Sequence, residues 1–264
     1  MISSFSNKKV KELSAFIKKS ALRRKSGLYV VEGVRMAEEI PPEDRVETYV
    51  SESFWNREER GGCRELLKGC QVLSDPVFSQ VSGTETPQGI LVLVRQKNYT
   101  LEEILQKEGP NRLLILENLR DPGNMGTLFR SAEAAGATGM ILGTGCVEVY
   151  NPKVVRSTMG ALLRLPFVYC EDLEQVLALL RQAGIASYAA CLEGEIEYDQ
   201  ADLSGDMALI IGNEAAGISP SLQRLAKARL NIPMEGGGES LNASVAGSVL
   251  LFEAARQRRI RRLG

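Results

Sequence analysis

The chain has 264 residues, of which 25% are charged and 44% hydrophobic, and its formal net charge is −1. This length allows one large or two modest domains with their own cores, so disulfides and structural metals are not needed for folding. No apolar run approaches the roughly 20 residues of a membrane-spanning helix. The amino terminus also lacks the apolar stretch of a secretory signal, so we expect a cytoplasmic protein with no membrane association.

Residue types that the chain lacks exclude several chemistries. It contains no histidine, which excludes Ser-His-Asp and Cys-His triads and the usual catalytic zinc sites. Its five cysteines form no C-x-x-C pair, which argues against a disulfide framework and a zinc ribbon. Chemistry must therefore use carboxylates, hydroxyls, amides, guanidinium groups or a bound cofactor.

Charge is distributed unevenly along the sequence. Residues 1–25 contain eight lysines and arginines but only one acidic residue, Glu12, and the last twelve residues contain five arginines and one glutamate. The segment between them is acidic, since the whole chain sums to −1. Basic ends indicate contact with a polyanion, because Lys and Arg release counterions from phosphates. Solvated helix faces are the alternative interpretation.

The first part of the chain is predicted to form a small α/β domain. Apolar residues recur near helical spacing in the basic amino-terminal segment, and Ser26-Gly27 ends that helix. The predicted elements are a helix over 7–25, a strand at 28–31, a helix at 34–40 and a buried strand at 89–94. A polar stretch with a short helix at 101–107 is predicted to link this domain to the next.

From Arg112 onward, strands and helices alternate. This pattern predicts a mostly parallel sheet with helices on both faces. The candidate strands lie at 113–116, 140–142, 165–168, 187–190, 208–211 and 230–232. Ligands bind outside the carboxyl ends of the strands in such sheets. We therefore expect the chemistry in the loops after Leu116, Leu142, Ile211 and Ile232.

Residues 117–136, ENLRDPGNMGTLFRSAEAAG, form the first motif. A helix is predicted from about Asn124 to a stop at Gly136. Its buried face is predicted to carry Met125, Leu128, Phe129 and Ala132. Arg130 lies off that face, where it is free for a site or for a surface ion pair. The turn matches neither G-x-x-x-x-G-K-[ST] nor G-x-G-x-x-G, which argues against triphosphate and dinucleotide binding.

Residues 208–220, ALIIGNEAAGISP, form the second motif. An apolar strand leads to Gly212, where a ligand could approach the backbone closely. The carboxylate of Glu214 follows at the carboxyl end of that strand. An ordinary strand-to-helix loop is the alternative, and Ser219-Pro220 is explained as a helix N-cap followed by proline.

Residues 230–246, LNIPMEGGGESLNASVA, form the third motif. The glycine run at 236–238 costs backbone entropy, which indicates a mobile loop or a backbone that wraps closely around a ligand. A long apolar helix is predicted to follow, ending at about Arg259. Ser240 is either a plain N-cap or, with Asn242, a polar group directed into the same loop cluster as Glu214.

Together the three motifs resemble those of the SpoU/TrmH-type RNA ribose 2′-O-methyltransferases of the SPOUT superfamily. Residues 151–161, NPKVVRSTMGA, resemble the segment between the family's first two motifs. Stretches at 23–27, 30–35 and 86–89 look like parts of its small substrate-binding domain. The resemblance covers nearly the whole chain and is least specific between about 41 and 85.

The resemblance implies an RNA substrate-binding domain over 1–96, a linker over 97–110 and a methyltransferase domain with a trefoil knot over 111–264. It also implies S-adenosyl-L-methionine (AdoMet) as cofactor, no metal, and a homodimer formed through the carboxyl-terminal domain. The implied reaction is methyl transfer to a ribose 2′-hydroxyl of structured RNA, with the hydroxyl held in line with the sulfonium methyl group. The two-domain layout favours ribosomal over transfer RNA.

Site residues carry over by position in the motifs. The resemblance implies a catalytic set of Asn124, Arg130, Glu214, Ser240 and Asn242. It implies cofactor contacts from Gly143, Thr144, Gly212, Ile232, Met234 and Leu241. A guanidinium donates hydrogen bonds but does not accept them, so we expect Arg130 to bind the substrate phosphate and sugar while a carboxylate or water removes the proton. Glu214 with Asn242 is expected to orient the reacting group.

Three other functions stay open. A non-catalytic RNA-binding paralogue would keep the fold, and calorimetry with AdoMet would separate it from an enzyme. A SPOUT enzyme acting on a base nitrogen would leave its methyl group on the base, which nucleoside mass spectrometry detects. A nucleotide-dependent enzyme of the doubly wound type lacks its phosphate loop here.

Overall fold

The computed structural model describes residues 1–58, 64–105, 109–236 and 240–263. The chain forms two compact units, Met1–Lys97 with Glu148–Leu163 and Asn98–Val147 with Arg164–Gly264. The units differ from the domains expected from the sequence at two segments, since the expected linker from Asn98 onward is part of the second unit. Residues 148–163 follow the second strand of the expected methyltransferase domain, yet they belong to the first unit. Cys63 and the predicted helical residues 106–107 lie outside the described residues.

The first unit contains a four-stranded sheet. Its strands are β1 (Leu28–Glu32), β2 (Arg45–Ser51), β3 (Gln71–Leu73) and β4 (Ile90–Arg95). The helices up to residue 97 are α1 (Lys8–Lys18), α2 (Ser20–Ser26), α3 (Val34–Glu39), α4 (Glu52–Glu58), α5 (Arg64–Leu67) and α6 (Asp75–Val81). The strand order is β1-β4-β2-β3, in which β4 runs antiparallel to both of its neighbours. The predicted strands at 28–31 and 89–94 are therefore confirmed.

The predicted single helix over 7–25 is wrong, because it is two helices. Lys19 has an extended conformation, with φ −113° and ψ 105°, and separates α1 from α2. After this break the Arg23 side chain lies against the end of α1, and its Nη1 donates to the carbonyl oxygens of Phe16 and Ile17. Arg23 is only 3% exposed. Helical spacing alone could not reveal this burial, because it depends on partners outside α2.

Residues 148–163 belong to the first unit because of specific contacts. Arg23 Nε donates to Glu148 Oε1 at 3.0 Å, and Arg23 Nη2 bonds to Glu148 Oε2 at 2.5 Å. The ring of Tyr150 lies 4.6 Å from that of Tyr29. The Tyr150 hydroxyl accepts from the backbone amide of Lys97 and donates to its carbonyl oxygen. The segment is therefore held by a buried ion pair and by aromatic packing.

The second unit contains a seven-stranded sheet. Its strands are β5 (Arg112–Leu116), β6 (Gly139–Gly143), β7 (Phe167–Cys170), β8 (Ala186–Ala190), β9 (Ile196–Glu197), β10 (Met207–Ile211) and β11 (Ala228–Asn231). The remaining helices of the chain are α7 (Leu101–Leu105), α8 (Pro122–Ala134), α9 (Pro152–Ser157), α10 (Ala161–Arg164), α11 (Leu173–Gln182), α12 (Pro220–Leu225) and α13 (Ala243–Leu263).

All the strand pairs of this sheet are parallel, in the order β7-β6-β5-β10-β8-β11-β9. The predicted α/β class with a parallel sheet is confirmed, and so are the six predicted strands, with shifts at their ends. β7 begins at Phe167 rather than 165, because Pro166 has no amide to donate to the ladder. The two-residue strand β9 was not predicted.

Helices α8 and α13 pack closely against each other. A Cβ on Gly247 would lie 2.5 Å from Leu128 Cδ2, so a larger residue would force the Leu128 side chain to move. Ser131 Oγ and Ser248 Oγ hydrogen-bond across the contact at 2.7 Å. The predicted buried face of α8 is confirmed by the full burial of Met125, Leu128, Phe129 and Ala132. No helix in the described part of the chain is long and apolar enough to cross a bilayer.

Candidate active site

The loop after β5 leads directly into α8. This helix begins at Pro122, two residues before the predicted start at Asn124. Asp121 is its N-cap, and Asp121 Oδ1 accepts from the Asn124 amide at 2.7 Å. Because the cap binds the Asn124 backbone, the Asn124 side chain remains available for another partner. The helix ends at Ala134, and Gly136, the predicted stop, lies just beyond it with a φ of +76°.

The loop after β10 is a tight turn. The backbone of Asn213 pairs with that of Gly217 in both directions, at 3.0 and 2.9 Å. A Cβ on Gly212 would lie 2.2 Å from the carbonyl carbon of Gly217. Glycine at position 212 is therefore required by the turn itself, apart from any approach of a ligand.

Glu214 extends from this turn to the start of α8. Asn124 Nδ2 donates to Glu214 Oε1 at 3.0 Å, and the Asp121 amide donates to the same oxygen at 3.4 Å. Partial burial acts to raise the pKa of Glu214. Hydrogen bonds from the Asn124 side chain and from the backbone amides of Glu214, Asp121 and Arg120 outweigh it and lower that pKa below its ordinary value. Glu214 is therefore ionised at neutral pH, which makes it a weak base.

The loop after β11 precedes the longest helix, α13. The N-cap of α13 is Asn242, whose Oδ1 accepts from the backbone amide of Ser244 at 2.9 Å and from its hydroxyl at 2.7 Å. The interpretation of Ser240 as the N-cap is therefore wrong, and Ser240 is an exposed residue ahead of the helix. Of the predicted glycine run, 237–238 lie outside the described residues.

The loops after β10 and β11 border a cavity of about 540 Å³ at the carboxyl edge of the sheet. Six of the predicted site residues line it, namely Gly212, Glu214, Ile232, Met234, Ser240 and Leu241. Its volume lies within the range of small-molecule sites. The cavity combines apolar side chains with the backbone of two turns, a composition that suits a ligand with a flat apolar ring and polar substituents.

One wall of this cavity is formed by residues that were not predicted as site residues. The loop after β8 contributes Ala190, Cys191, Leu192 and Glu193. Strand β8 was predicted, but its position between β10 and β11 was not, because strand order is not encoded in periodicity. Burial raises the pKa of Cys191, so its thiol is neutral at physiological pH.

The other predicted site residues lie outside this cavity. Gly143 and Thr144 line a second cavity of about 360 Å³, together with Glu117 and Asn118. Asn124 is joined to the first cavity through its bond to Glu214. Asn242 follows the lining residue Leu241 in the chain. Arg130 is exposed on α8, and among the described residues nothing accepts a hydrogen bond from it or forms an ion pair with it.

A metal site finds no support in the described ranges, which contain no group of three or more Cys, Asp or Glu side chains able to hold a metal ion. The donors around Glu214 are neutral amides, and they hold the carboxylate without a cation. The site therefore combines a carboxylate fixed by amide donors with a cavity of cofactor size.

This fold and site define an α/β protein that binds a ligand at the carboxyl edge of a parallel sheet. Residues 111–252 match the SpoU rRNA Methylase family, and residues 7–92 match the MRM3-like substrate binding domain. The chain therefore belongs to the SpoU rRNA methylase family. The resemblance of its three motifs to that family is confirmed.

Several relatives resemble the chain over most of its length. The 23S rRNA (guanosine(2553)-2′-O)-methyltransferase RlmP of Bacillus subtilis (strain 168) is 32% identical, over 95% of this chain and 97% of its own. The 23S rRNA (uridine(2479)-2′-O)-methyltransferase of Streptomyces viridochromogenes is 33% identical, over 74% of this chain and 71% of its own. The AdoMet-bound rRNA methyltransferase from Sinorhizobium meliloti has a TM-score of 0.84 at 29% identity, covering 97% of both chains.

Proposed function

We propose that this protein is an enzyme that transfers a methyl group from AdoMet to a ribose 2′-hydroxyl of ribosomal RNA. The observation that carries this proposal is the cavity that the second and third motif loops share, to which the first motif is joined by the hydrogen bond from Asn124 to Glu214. Family membership and the named activities of two relatives support it. Those relatives act on guanosine and uridine, so the target base is left open.

The cavity suits AdoMet. We propose that Ile232, Met234 and Leu241 pack against its adenine and that the backbone around Gly212 binds its polar groups. The loop after β8 forms the remaining wall. Gly143 and Thr144 line the separate cavity, so we do not assign them to this pocket. When bound, AdoMet supplies an electrophilic methyl group on a sulfonium.

The chain's own residues bind and orient the ribose. We propose that Arg130 binds the phosphate and sugar of the target nucleotide, because its guanidinium is exposed and unpaired within the described chain. A cation beside the 2′-hydroxyl stabilises the oxyanion that develops as the proton leaves. The carboxylate of Glu214, held by Asn124, orients this arrangement. The proton of the 2′-hydroxyl is proposed to pass to a carboxylate or to water as the methyl group is transferred.

Ser240 and Asn242 complete the proposed catalytic set. Ser240 lines the cavity with its hydroxyl exposed, so it is available to hydrogen-bond the substrate or the cofactor. Asn242 Oδ1 is engaged by the first turn of α13, which leaves its amide nitrogen as the available donor. We propose that Asn242 acts mainly by fixing the start of α13 beside Leu241.

We propose that residues 1–96 bind RNA. Most basic side chains of α1 and α2 are exposed, including Lys18, Lys19, Arg24 and Lys25. Arg23 is an exception, because it is buried against Glu148. The arginines at the end of α13 are proposed as further RNA contacts, although Arg256 already pairs with Glu253. The match to a substrate binding domain supports the role of this region.

We further propose a homodimer formed through α13, a trefoil knot in the second unit and a cytoplasmic location. The dimer is supported by Val245 and Phe252, which lie seven residues apart on α13 and are each 47% exposed. Exposed apolar stripes of this kind mark interaction surfaces. Analytical ultracentrifugation of wild type and Phe252→Glu tests the dimer, and a wild-type monomer would contradict it.

The test of the proposed activity uses purified protein, AdoMet with a radiolabelled methyl group and ribosomal RNA from a strain that lacks the gene. We expect label in 2′-O-methylnucleosides after digestion and mass spectrometry. Label on a base nitrogen would indicate the other SPOUT chemistry. Binding of RNA without binding of AdoMet by calorimetry would indicate a non-catalytic paralogue.

A further inference from the structure

Asn213 has both ends of its side-chain amide engaged, each by a different loop. Its Oδ1 accepts from the backbone amides of Ala215 and Ala216, at 3.0 Å each. Its Nδ2 donates to the carbonyl oxygen of Asn118 at 2.8 Å, in the loop after β5. The oxygen thus closes the turn that carries Glu214, and the nitrogen holds the neighbouring loop.

Asn118 is constrained where it receives this hydrogen bond. Its φ is +53°, in the left-handed region that residues other than glycine rarely adopt. A Cβ on Gly145 would lie 1.7 Å from Asn118 Oδ1, so the Asn118 side chain fits only over a glycine. A conformation of this kind persists when the surrounding structure enforces it. The bond from Asn213 is one such restraint.

The segment that Asn118 begins carries the donors to Glu214. Three residues later the Asp121 amide donates to Glu214 Oε1, and Asn124 Nδ2 donates to the same oxygen. Asn213 Nδ2 also lies 3.4 Å from Glu214 Oε2. Asn213 therefore holds the loop after β5 in place. The far end of that loop orients the carboxylate of Glu214, which follows Asn213 in the sequence.

We propose that Asn213 is a positioning residue for methyl transfer, which acts by joining the loop after β5 to the Glu214 turn through its bond to Asn118. The expected change in kcat rests on the proposed function, whereas the expected change in how the two loops are joined does not. A misplaced catalytic group lowers the rate of the chemical step more than the affinity for substrate. Loss of the bond should therefore reduce kcat more than it changes KM.

The alternative is a local role, in which Asn213 only closes its own turn. The two roles use different atoms, so they can be separated by substitution. Asn213→Ser retains a hydroxyl that can accept from the turn amides but is too short to reach Asn118. Asn213→Ala removes both functions. A local role predicts a defect in the alanine variant alone, whereas the proposed role predicts the same defect in both variants.

The experiment combines kinetics with a titration that needs neither cofactor nor RNA. For both variants we expect kcat to fall on the order of 100-fold, with KM for RNA and AdoMet changed by about threefold or less. Carbon-13 NMR of the glutamate carboxyl groups, with the Glu214 signal assigned from Glu214→Gln, should show the pKa of Glu214 rising towards its ordinary value. The rise is expected because the donors on the released loop move away.

Asp202→Asn is the matched control. Asp202 is exposed outside the site, and its Oδ1 accepts from the Ser204 amide at 3.0 Å in a similar turn. We expect wild-type kinetics and an unchanged Glu214 titration in this variant. Wild-type kcat in Asn213→Ser would overturn the proposal. If wild-type protein transfers no methyl group, the proposed function fails, and the titration decides alone: an unchanged Glu214 pKa in Asn213→Ser overturns the positioning role.

Discussion

Arg23 in the first unit and Arg130 in the second differ in how their guanidinium groups are used. Arg23 is buried, forms a two-point ion pair with Glu148, and donates to two backbone carbonyl oxygens at the end of α1. Arg130 is exposed, with no such partner in the described part of the chain. We therefore expect a basic residue of this chain to contact RNA only where the fold leaves its donors free.

The carboxylates of the two regions differ in the same way. Glu148 is neutralised by Arg23, and the pair holds residues 148–163 in the first unit. Glu214 is held by neutral amides of Asn124 and the backbone, so its negative charge is not cancelled. A carboxylate whose charge is neutralised by an ion pair contributes to stability. A carboxylate whose charge is not neutralised remains available to orient a substrate or its cation.

Removing the buried cation should have the largest effect. Arg23→Ala leaves Glu148 without its partner and two carbonyl oxygens without donors, so we expect a loss of about 3 kcal/mol in the free energy of unfolding. Urea denaturation measures it. Arg24→Ala, at the exposed neighbouring position, should change the stability by about 0.5 kcal/mol or less. Equal losses in the two variants would contradict the distinction between buried and exposed arginines.

Removing the exposed cation should affect rate rather than stability. Arg130→Ala is expected to lower kcat on the order of 100-fold, as for loss of one preorganised donor in a transition state, with an unchanged urea midpoint. Single-turnover methylation assays measure the rate. Arg181→Ala removes another exposed arginine of the second unit and should leave the rate unchanged. Near-normal turnover by Arg130→Ala would show that its free guanidinium is not used.

Basic residues on α1 and α2 should contribute to affinity for RNA. Replacing Lys18, Lys19, Arg24 and Lys25 with alanine should weaken RNA binding. The slope of the logarithm of the binding constant against the logarithm of the salt concentration should become shallower by roughly 0.7 to 0.9 for each phosphate that is no longer neutralised. Filter binding at several salt concentrations measures the slope. Lys68→Ala, which removes an exposed lysine paired with Glu65, should leave the slope as in wild type. A slope near zero in wild type would contradict the proposed role of these residues.

The smallest expected effect concerns Glu214 and pH. Its pKa is lowered in the folded chain, so the carboxylate contributes stability above the ordinary glutamate pKa of about 4.3 and loses it as the pH falls through the folded value. Relative to Glu214→Gln we expect a contribution of about 0.5 kcal/mol or less, because solvent screens the group. Urea denaturation between about pH 7 and pH 3 measures it. A contribution that grows on acidification would mean that the pKa is raised.

Local sequence patterns predicted much of the second unit. The runs at 113–116, 140–142 and 208–211 are apolar throughout, which is typical of strands buried on both faces, and each lies within a strand of the structure. The buried face of α8 was also predictable, because helical spacing determines which side chains share a face. The motif residues Glu214 and Ser240 could be assigned to loops at the same edge, because the carboxyl ends of parallel strands lie at one edge of a sheet.

Tertiary structure decided what periodicity does not contain. Strand order places β8 between β10 and β11, so the loop at 190–193 lines the cofactor-sized cavity while Gly143 and Thr144 line another. The burial of Arg23 and the two-loop role of Asn213 depend on partners 125 and 95 residues away in sequence. Local sequence patterns were sufficient for most of the elements, the family and the motif loops, because these depend on neighbouring residues. Only the folded chain decided which polar groups are paired and which remain free, because that depends on contacts between distant segments.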